Sequence, residues 1–212
     1  MQCGAIILAG GQNKRMGKEK WLLRINGETF VERIVNELTP HLDPVLIVLA
    51  RQSHDTVQDS IPLPDPVLTH SKIQIFRDEL ADMGPLSGIQ TGLRHCHHEY
   101  TFIVASDMPF IRWEIARYLL QKCIEFEAEA VIPTTMQKAH PLCAVYRTSA
   151  LLSLNIYLQQ GGHKVMGWVA DLNHILVPEV ELQSLDPNGT CFMNVNTPQE
   201  YEAAFQLARL LE

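Results

Sequence analysis

The chain has 212 residues, of which 46% are hydrophobic and 19% are charged. These values are ordinary for a globular protein and exclude disordered and collagen-like chains. The formal net charge of −7 argues against binding to nucleic acid, because such binding needs many cations to neutralise phosphates. The length allows one or two domains, and we predict a single domain over residues 1–212.

Apolar segments and cysteines indicate the compartment. Residues 5–9 are too short for the apolar region of a signal peptide, and the nearby cations follow them rather than precede them. No apolar run approaches the length that spans a bilayer. The five cysteines lack the paired short spacings of a disulfide framework or a zinc ribbon. We therefore expect a cytoplasmic protein, with no membrane association and with reduced, buried cysteines.

Short apolar runs alternate with longer segments of helical period, which indicates βαβ units and a mainly parallel sheet. The predicted strands are residues 4–9, 45–50, 73–76, 101–105, 130–133 and 142–146, with another near 175–177. The predicted helices are residues 29–38, 86–96, 113–127, 149–160, 163–172 and 198–211. The proline-rich residues 60–71 predict an irregular surface excursion. The last helix has the clearest start, with Thr197 as N-cap, Pro198 in the first turn and Glu200 completing a capping box.

A glycine-bearing, cationic loop follows the first predicted strand. Gly10 and Gly11 let the backbone approach a ligand closely, and successive N–H groups in such a loop bind anions. Arg15 and Lys20 would complete a phosphate-binding site, and further cations cluster nearby at Lys14, Lys18 and Arg24. The loop is neither a Walker A sequence nor a dinucleotide fingerprint. The alternative is a tight strand-to-helix connection with solvated lysines.

Two aspartates follow predicted strands at the carboxyl edge of the sheet, where ligands usually bind in α/β proteins. Asp107 comes after residues 101–105, and one carboxylate is enough for Mg²⁺ when phosphates and waters complete the coordination. Asp78 follows residues 73–76 and precedes a second glycine-bearing turn at residues 84–88. The alternative for both is a turn aspartate that caps the following segment.

Three polar residues in the C-terminal half are weaker candidates for ligand binding. His140 precedes the predicted strand 142–146, where a histidine with a structural role is the alternative. Asn194 and Asn196 offer amide donors and acceptors, but Asx turns leading into the last helix would use the same residues. The histidines at residues 95, 97 and 98 do not predict a metal site, because neighbours at a helix end do not converge readily on one ion.

These motifs resemble known enzymes in their order along the chain. Leu8-Ala9-Gly10-Gly11, then Arg15-Met16-Gly17, then Lys20 resembles the signature of nucleotidyltransferases with a Rossmann-like fold. Asn194-Val195-Asn196-Thr197-Pro198 is similar to the segment that marks the molybdenum cofactor guanylyltransferases. The resemblance covers essentially the whole chain, and it implies a three-layer α/β/α fold with a mainly parallel sheet.

The resemblance also implies roles for single residues. Those implied for catalysis are Arg15, Lys20 and Asp107, with Asp107 holding Mg²⁺. Those implied for nucleotide binding are Leu8, Ala9, Gly10, Gly11, Lys20, Asp78 and Asp107. Those implied for the acceptor are His140, Asn194 and Asn196, so that the N-terminal part would bind nucleotide and the C-terminal part the acceptor.

The implied reaction transfers GMP from GTP to molybdopterin and releases pyrophosphate. Proteins that insert molybdenum or receive the finished cofactor are the implied partners. Gly10 favours GTP, because similar enzymes that use CTP carry alanine there. Residues 49–51 depart from the family, which has a nucleotide-contacting asparagine after the second strand. A CTP-using, sugar-phosphate or isoprenoid nucleotidyltransferase, a catalytically silent nucleotide-binding regulator, and an α/β domain for some other anion remain as alternatives.

Overall fold

The computed structural model describes residues 3–10, 20–50, 63–78 and 84–211. In these ranges the strands are β1 (Cys3–Ala9), β2 (Arg24–Ile25), β3 (Glu28–Thr29), β4 (Val45–Leu49), β5 (Ile73–Arg77), β6 (Tyr100–Ala105), β7 (Ala130–Thr135), β8 (Lys138–Ala139), β9 (Cys143–Arg147) and β10 (His174–Pro178). The helices are α1 (Phe30–Leu38), α2 (Asp65–Leu68), α3 (Pro85–His95), α4 (Trp113–Glu125), α5 (Leu151–Gln159), α6 (Val165–Val169), α7 (Glu179–Leu182) and α8 (Pro198–Leu211). None of these helices is long and apolar enough to cross a membrane.

The strands form a central sheet in the order β10-β7-β9-β6-β1-β4-β5, as far as the described residues show. Strand β9 is antiparallel to both of its neighbours, and the other pairs on this path are parallel. Strand β8 forms an antiparallel hairpin with β7. The predicted α/β fold with a mainly parallel sheet is therefore confirmed. Because β1, β4, β5, β6 and β7 point the same way, their carboxyl ends lie at one edge of the sheet.

Helices cover both faces of the sheet, which is why β1 is buried along its whole length. Ile6 and Leu8 pack on one face with apolar residues of α3, α5 and α6. Ala5 and Ile7 pack on the other face with apolar residues of α1 and α4. A strand buried on both faces needs a continuous apolar sequence rather than an alternating one. The three-layer α/β/α arrangement follows from this packing.

A smaller apolar cluster positions the C-terminal segment. Helix α8 contributes Ala204 and Ala208, which pack with Ile25 of the β2–β3 hairpin and with Val195. The Val195 amide also donates a hydrogen bond to the Asp107 carbonyl oxygen over 2.9 Å. The segment before α8 is thereby held against the turn that follows β6.

The structure differs from the predicted elements in several places. Residues 65–68, within the predicted irregular excursion, form the short helix α2, and Val67 is buried against the core. The predicted helix 113–127 ends at Glu125, because Glu127 has a left-handed φ of 50°. The predicted helix 163–172 is shorter, Val165–Val169, and the predicted helix 149–160 begins as a 3-10 turn, Thr148–Ala150. The two-residue strands β2, β3 and β8 were not predicted.

The predicted start of the last helix is confirmed in detail. The Glu200 carboxylate accepts hydrogen bonds from the amides of Thr197 (2.9 Å) and Asn196 (2.7 Å). The Thr197 hydroxyl in turn accepts from the Glu200 amide over 3.2 Å. This capping box satisfies backbone donors that a helix leaves unpaired at its start. It also fixes the backbone of Asn196, a predicted site residue.

The cap gives a first testable prediction. Replacing Thr197 with alanine removes the hydroxyl acceptor, and we expect the free energy of unfolding to fall by about 1 kcal/mol, the usual value of an N-cap. Urea unfolding would measure it. Gln199→Ala is the matched control, because Gln199 is exposed in the same helical turn. Equal stability of the two variants would show that the cap contributes nothing.

Candidate active site

Backbone hydrogen bonds join the carboxyl ends of four parallel strands. Each bond runs from the residue after one strand to the end of its neighbour: Ala50 N–H to the Ala9 carbonyl (3.1 Å), Asp78 N–H to the Leu49 carbonyl (2.9 Å) and Ser106 N–H to the Leu8 carbonyl (3.1 Å). These bonds bring the segments after β1, β4, β5 and β6 together. Gly10, Asp78 and Asp107, all predicted site residues, therefore lie along one edge.

Asp107 lies in the turn after β6, and its carboxylate is turned into the protein. Its Oδ1 atom is buried without a hydrogen-bond partner in the part of the chain that the structure describes. Burial raises the pKa of Asp107, and the positive charge of Lys20 opposes that rise. Lys138 also lowers this pKa, whereas Glu200 raises it. The carboxylate thus has a buried oxygen without a partner among the described residues, and two cations oppose the rise in its pKa.

Lys20 connects the N-terminal and C-terminal motifs. It begins a short 3-10 turn, Lys20–Leu22, and its Nζ donates a hydrogen bond to Oδ1 of Asn196. The Asn196 amide is itself held by Glu200. Lys20 and Asp107, predicted for catalysis, and Asn196, predicted for acceptor binding, therefore lie together.

The surroundings of Asp107 fit a magnesium ion. A buried carboxylate oxygen without a hydrogen bond is a suitable ligand for a hard cation, and Mg²⁺ usually takes one or two carboxylates together with phosphates and waters. Within residues 3–10, 20–50, 63–78 and 84–211, no group of three or more His, Cys, Asp and Glu side chains could hold a metal ion. The described residues therefore suit an ion that arrives with a phosphate ligand, and not an all-protein cage.

Asp78 is the second buried carboxylate at this edge, with 7% of its surface exposed. Its Oδ1 also lacks a hydrogen-bond partner among the residues described. Burial raises the pKa of Asp78 to about 7. Gly88 of α3 leaves room for it, because a Cβ at position 88 would lie 3.2 Å from Asp78 Oδ1. The second glycine-bearing turn therefore opens a helix against this carboxyl group.

Gly10 ends β1 and closely approaches the residue that follows β4. A Cβ at position 10 would lie 2.6 Å from the Cβ of Ala50, closer than two such carbons can be. The neighbouring Leu49 points into the core and offers its carbonyl to the Asp78 amide. The departure from the family at residues 49–51 thus leaves main-chain groups and a small side chain, Ala50, at this edge.

His140 and Asn194 lie near Asp107, on the side away from Asp78. The His140 ring is buried, with Nε2 2.7 Å from the Thr135 hydroxyl, and it packs on Phe192 with ring centroids 5.0 Å apart. Burial lowers the pKa of His140, the charge of Lys138 lowers it further, and Glu179 opposes both. Asn194 is half-buried two residues after Phe192. Direct contact of either residue with an acceptor stays a prediction.

The predicted phosphate loop is described only in part. Leu8, Ala9, Gly10 and Lys20 are placed as above, whereas Gly11 and Arg15 lie outside the described residues. Three residues at the site were not predicted from the sequence: Ala50 against Gly10, Glu200 behind Asn196, and Lys138 near Asp107. Glu200 was predicted as part of the capping box, but not as a residue near the site.

Comparison with known proteins shows the family of the chain. The family model for the MobA-like NTP transferase domain matches residues 5–174, which include most of β1, Asp78, Asp107 and His140. The chain belongs to the MobA-like NTP transferase family. It is therefore a nucleotidyltransferase by family. The matched residues end before Asn194 and Asn196.

Relatives of this MobA-like domain extend over nearly the whole chain. A protein of Methanosarcina mazei named probable molybdenum cofactor guanylyltransferase is 33% identical, and the match covers 93% of this chain and 88% of the relative. The molybdenum cofactor guanylyltransferase of Syntrophotalea carbinolica is 28% identical, with coverage of 93% and 88%.

Solved structures show the same fold. Molybdopterin-guanine dinucleotide biosynthesis protein A from Archaeoglobus fulgidus matches with a TM-score of 0.80 at 25% identity, over 98% of this chain and 99% of that chain. The 2-C-methyl-D-erythritol 4-phosphate cytidylyltransferase from Thermus thermophilus matches with a TM-score of 0.70 at 15% identity, over 99% and 100%. The second likeness concerns the fold alone.

The raised pKa of Asp78 predicts a pH-dependent stability difference between the wild type and Asp78→Asn. Unfolded Asp78 loses its proton near 3.8, whereas folded Asp78 keeps it until about 7. Between these values the unfolded state binds fewer protons, so Asp78 destabilises the wild type progressively as the pH rises. We expect the free energy of unfolding of Asp78→Asn to rise relative to that of the wild type between about pH 4 and pH 7, by up to a few kcal/mol. Denaturant unfolding across this range measures the gain, and a constant difference would contradict the burial of Asp78.

The contact between Gly10 and Ala50 predicts a steric rescue. Gly10→Ala adds a methyl group where the Ala50 methyl already lies, and such overpacking costs about 1–3 kcal/mol. Ala50→Gly should remove most of this cost, so the double variant should be more stable than Gly10→Ala despite its second glycine. A thermodynamic cycle of the four proteins measures the coupling. Additive effects would show that the two residues do not compete for space.

Proposed function

We propose that this enzyme transfers GMP from GTP to the terminal phosphate of molybdopterin and releases pyrophosphate. The observation that carries the proposal is the buried oxygen of Asp107, which has no hydrogen-bond partner among the described residues, near Lys20. Lys20 is itself hydrogen-bonded to Asn196. In this proposal Asp107 would supply a carboxylate for a metal ion and Lys20 a cation for phosphate, next to the C-terminal motif. The names of the relatives from Methanosarcina mazei and Syntrophotalea carbinolica support the same reaction.

The chemistry requires no nucleophile from the protein. An oxygen of the molybdopterin phosphate attacks the α-phosphorus of GTP, a new P–O–P bond forms, and the bond between the α-phosphorus and the α,β-bridging oxygen breaks. The electron pair leaves with pyrophosphate. The enzyme must hold two anions together and stabilise the charge that develops on the leaving group. Lys20 supplies positive charge beside the cleft, and Gly10 gives the backbone close access to the phosphates.

We propose that Asp107 holds Mg²⁺ together with phosphate oxygens of the nucleotide. When bound, this ion supplies a Lewis acid and a template for the phosphates. The protein's part is to hold this half-buried carboxylate near two cations. Lys20 and Lys138 favour the ionised form, because both lower the pKa that burial raises.

We assign the guanine nucleotide to the edge formed by Gly10, Ala50 and Asp78. Gly10 favours GTP, and the unpaired Asp78 oxygen offers a hydrogen-bonding group near the start of α3. The acceptor is assigned to the opposite side, where Asn194, Asn196 and His140 lie. In this proposal the N-terminal half of one domain binds the nucleotide and the C-terminal half binds the acceptor.

The test is pyrophosphate release from GTP in the presence of molybdopterin and Mg²⁺, with CTP and ATP in parallel. We expect release with GTP, and Asp107→Asn should reduce the rate by about 100-fold or more, because a metal-ion contact to the reacting phosphate is worth several kcal/mol. The asparagine has the same shape and no charge. It should fold well, since the wild-type carboxylate is costly to bury.

Asp171→Asn is the matched control, because Asp171 is an exposed carboxylate after α6 and its loss should leave the rate unchanged. GTP binding without pyrophosphate release from the wild type would instead indicate a catalytically silent regulator or another acceptor. Preference for CTP would contradict the assignment of guanine. An unchanged rate in Asp107→Asn would exclude Asp107 as the metal ligand.

A further inference from the structure

One face of the β7–β8 hairpin carries Thr135, Lys138 and His140. Thr135 of β7 and Lys138 of β8 are directly opposite in the antiparallel pair, so their side chains share a face. His140, two residues after Lys138, belongs to the same face and lies 2.7 Å from the Thr135 hydroxyl through its Nε2 atom. Lys138 therefore projects on the side of the hairpin where His140 packs.

The hairpin lies near the turn that contains Asp107. The His140 ring packs on Phe192, which leads into the segment that Val195 holds against the Asp107 carbonyl. The Ala105 amide donates a hydrogen bond to the Leu142 carbonyl over 2.8 Å, so the segment that follows His140 lies beside the end of β6, two residues before Asp107. Asp107 thus has a lysine on the acceptor side of the cleft in addition to Lys20 from the N-terminal side.

The hairpin is held in a costly conformation. Met136 and Gln137, the two residues of its turn, both have left-handed backbones, with φ of 46° and 62°. Glycine and asparagine are the usual residues at such positions, and other side chains are strained there. The Glu179 carboxylate holds the turn by accepting a hydrogen bond from the Met136 amide over 3.1 Å. Lys138 therefore extends from a fixed turn.

The two lysines differ in their contacts. Lys20 is hydrogen-bonded to Asn196, whereas Lys138 is exposed and makes no hydrogen bond or ion pair with any residue that the structure describes. An unengaged ammonium group on a fixed hairpin, on the same face as His140, is available for a ligand. A lysine suits a phosphate because it is a compact charge with three donors on a flexible stem.

We infer that Lys138 binds the terminal phosphate of the acceptor, while Lys20 serves the triphosphate of the nucleotide. This inference rests on the proposed function and adds to it a residue on the side of the attacking phosphate. Two anionic groups must approach each other for the reaction, and a cation on each side reduces their repulsion. Lys138 would thus be a substrate-binding residue that positions the nucleophile.

The experiment measures equilibrium binding of molybdopterin and of Mg·GTP separately, for the wild type, Lys138→Gln and Lys138→Arg. We expect Lys138→Gln to weaken molybdopterin binding about tenfold or more, since a hydrogen bond between charged groups is lost. Mg·GTP binding should change less than about twofold. Lys138→Arg should restore much of the molybdopterin affinity, because it keeps the charge.

Two controls separate this role from a general effect. Arg117→Gln removes one charge from an exposed position on α4, and Gln137→Asn changes the hairpin turn while keeping a residue that tolerates its backbone. Both should bind molybdopterin as the wild type does. Unchanged binding in Lys138→Gln, or equal weakening of both ligands, would overturn the inference.

Turnover of the wild type distinguishes this inference from the proposed function. If the wild type binds molybdopterin but releases no pyrophosphate from GTP, the proposed function fails while the comparison at Lys138 still decides the inference. If the wild type turns over normally and Lys138→Gln binds molybdopterin equally well, only the inference fails. A wild type that does not bind molybdopterin contradicts both.

Discussion

The cost of burying a carboxylate at the edge of the sheet is the constraint on which this site depends. Asp107 has a buried oxygen without a hydrogen-bond partner among the described residues, and such a group destabilises the folded state unless something compensates it. The lysines at positions 20 and 138 supply part of that compensation from opposite sides. A cation brought by the substrate would supply the rest, so the site is prepared for its ligand at the expense of stability.

The same constraint explains why the two ends of the chain are tied together. Lys20 is useful to Asp107 only if it is held near the turn after β6, and Asn196 holds it there by a hydrogen bond. Asn196 is in turn fixed by Glu200 at the start of α8, and α8 packs against the β2–β3 hairpin that follows Lys20. The cap of a C-terminal helix thus contributes to the placement of an N-terminal cation.

Much of the fold was predictable, because the central strands β1, β4, β6 and β9 are buried along almost their whole length and therefore carry largely apolar runs. Asp107, Lys20 and Asn196 were predictable as well, since each belongs to a motif next to such a strand or to a helix cap. Lys138 was not, because its strand has two residues and its turn lacks the glycine or asparagine that marks a hairpin. Ala50 was not predicted as a site residue. It matters because it lies close to Gly10, and no local sequence pattern shows that proximity.

Asp78 and Asp107 lie at one edge of the sheet but differ in the charges around them. Burial raises the pKa of both, but Lys20 and Lys138 oppose the rise at Asp107, whereas burial is the only cause of the rise to about 7 at Asp78. Burial still raises the pKa of Asp107 above its usual value, and the two lysines limit that rise. Asp78 is close to equally protonated and ionised at neutral pH, and in its protonated form it can donate a hydrogen bond. The position of the cations distinguishes the two carboxyl groups, and it is the reason why we propose Asp107 for the metal ion and Asp78 for a hydrogen bond to the nucleotide.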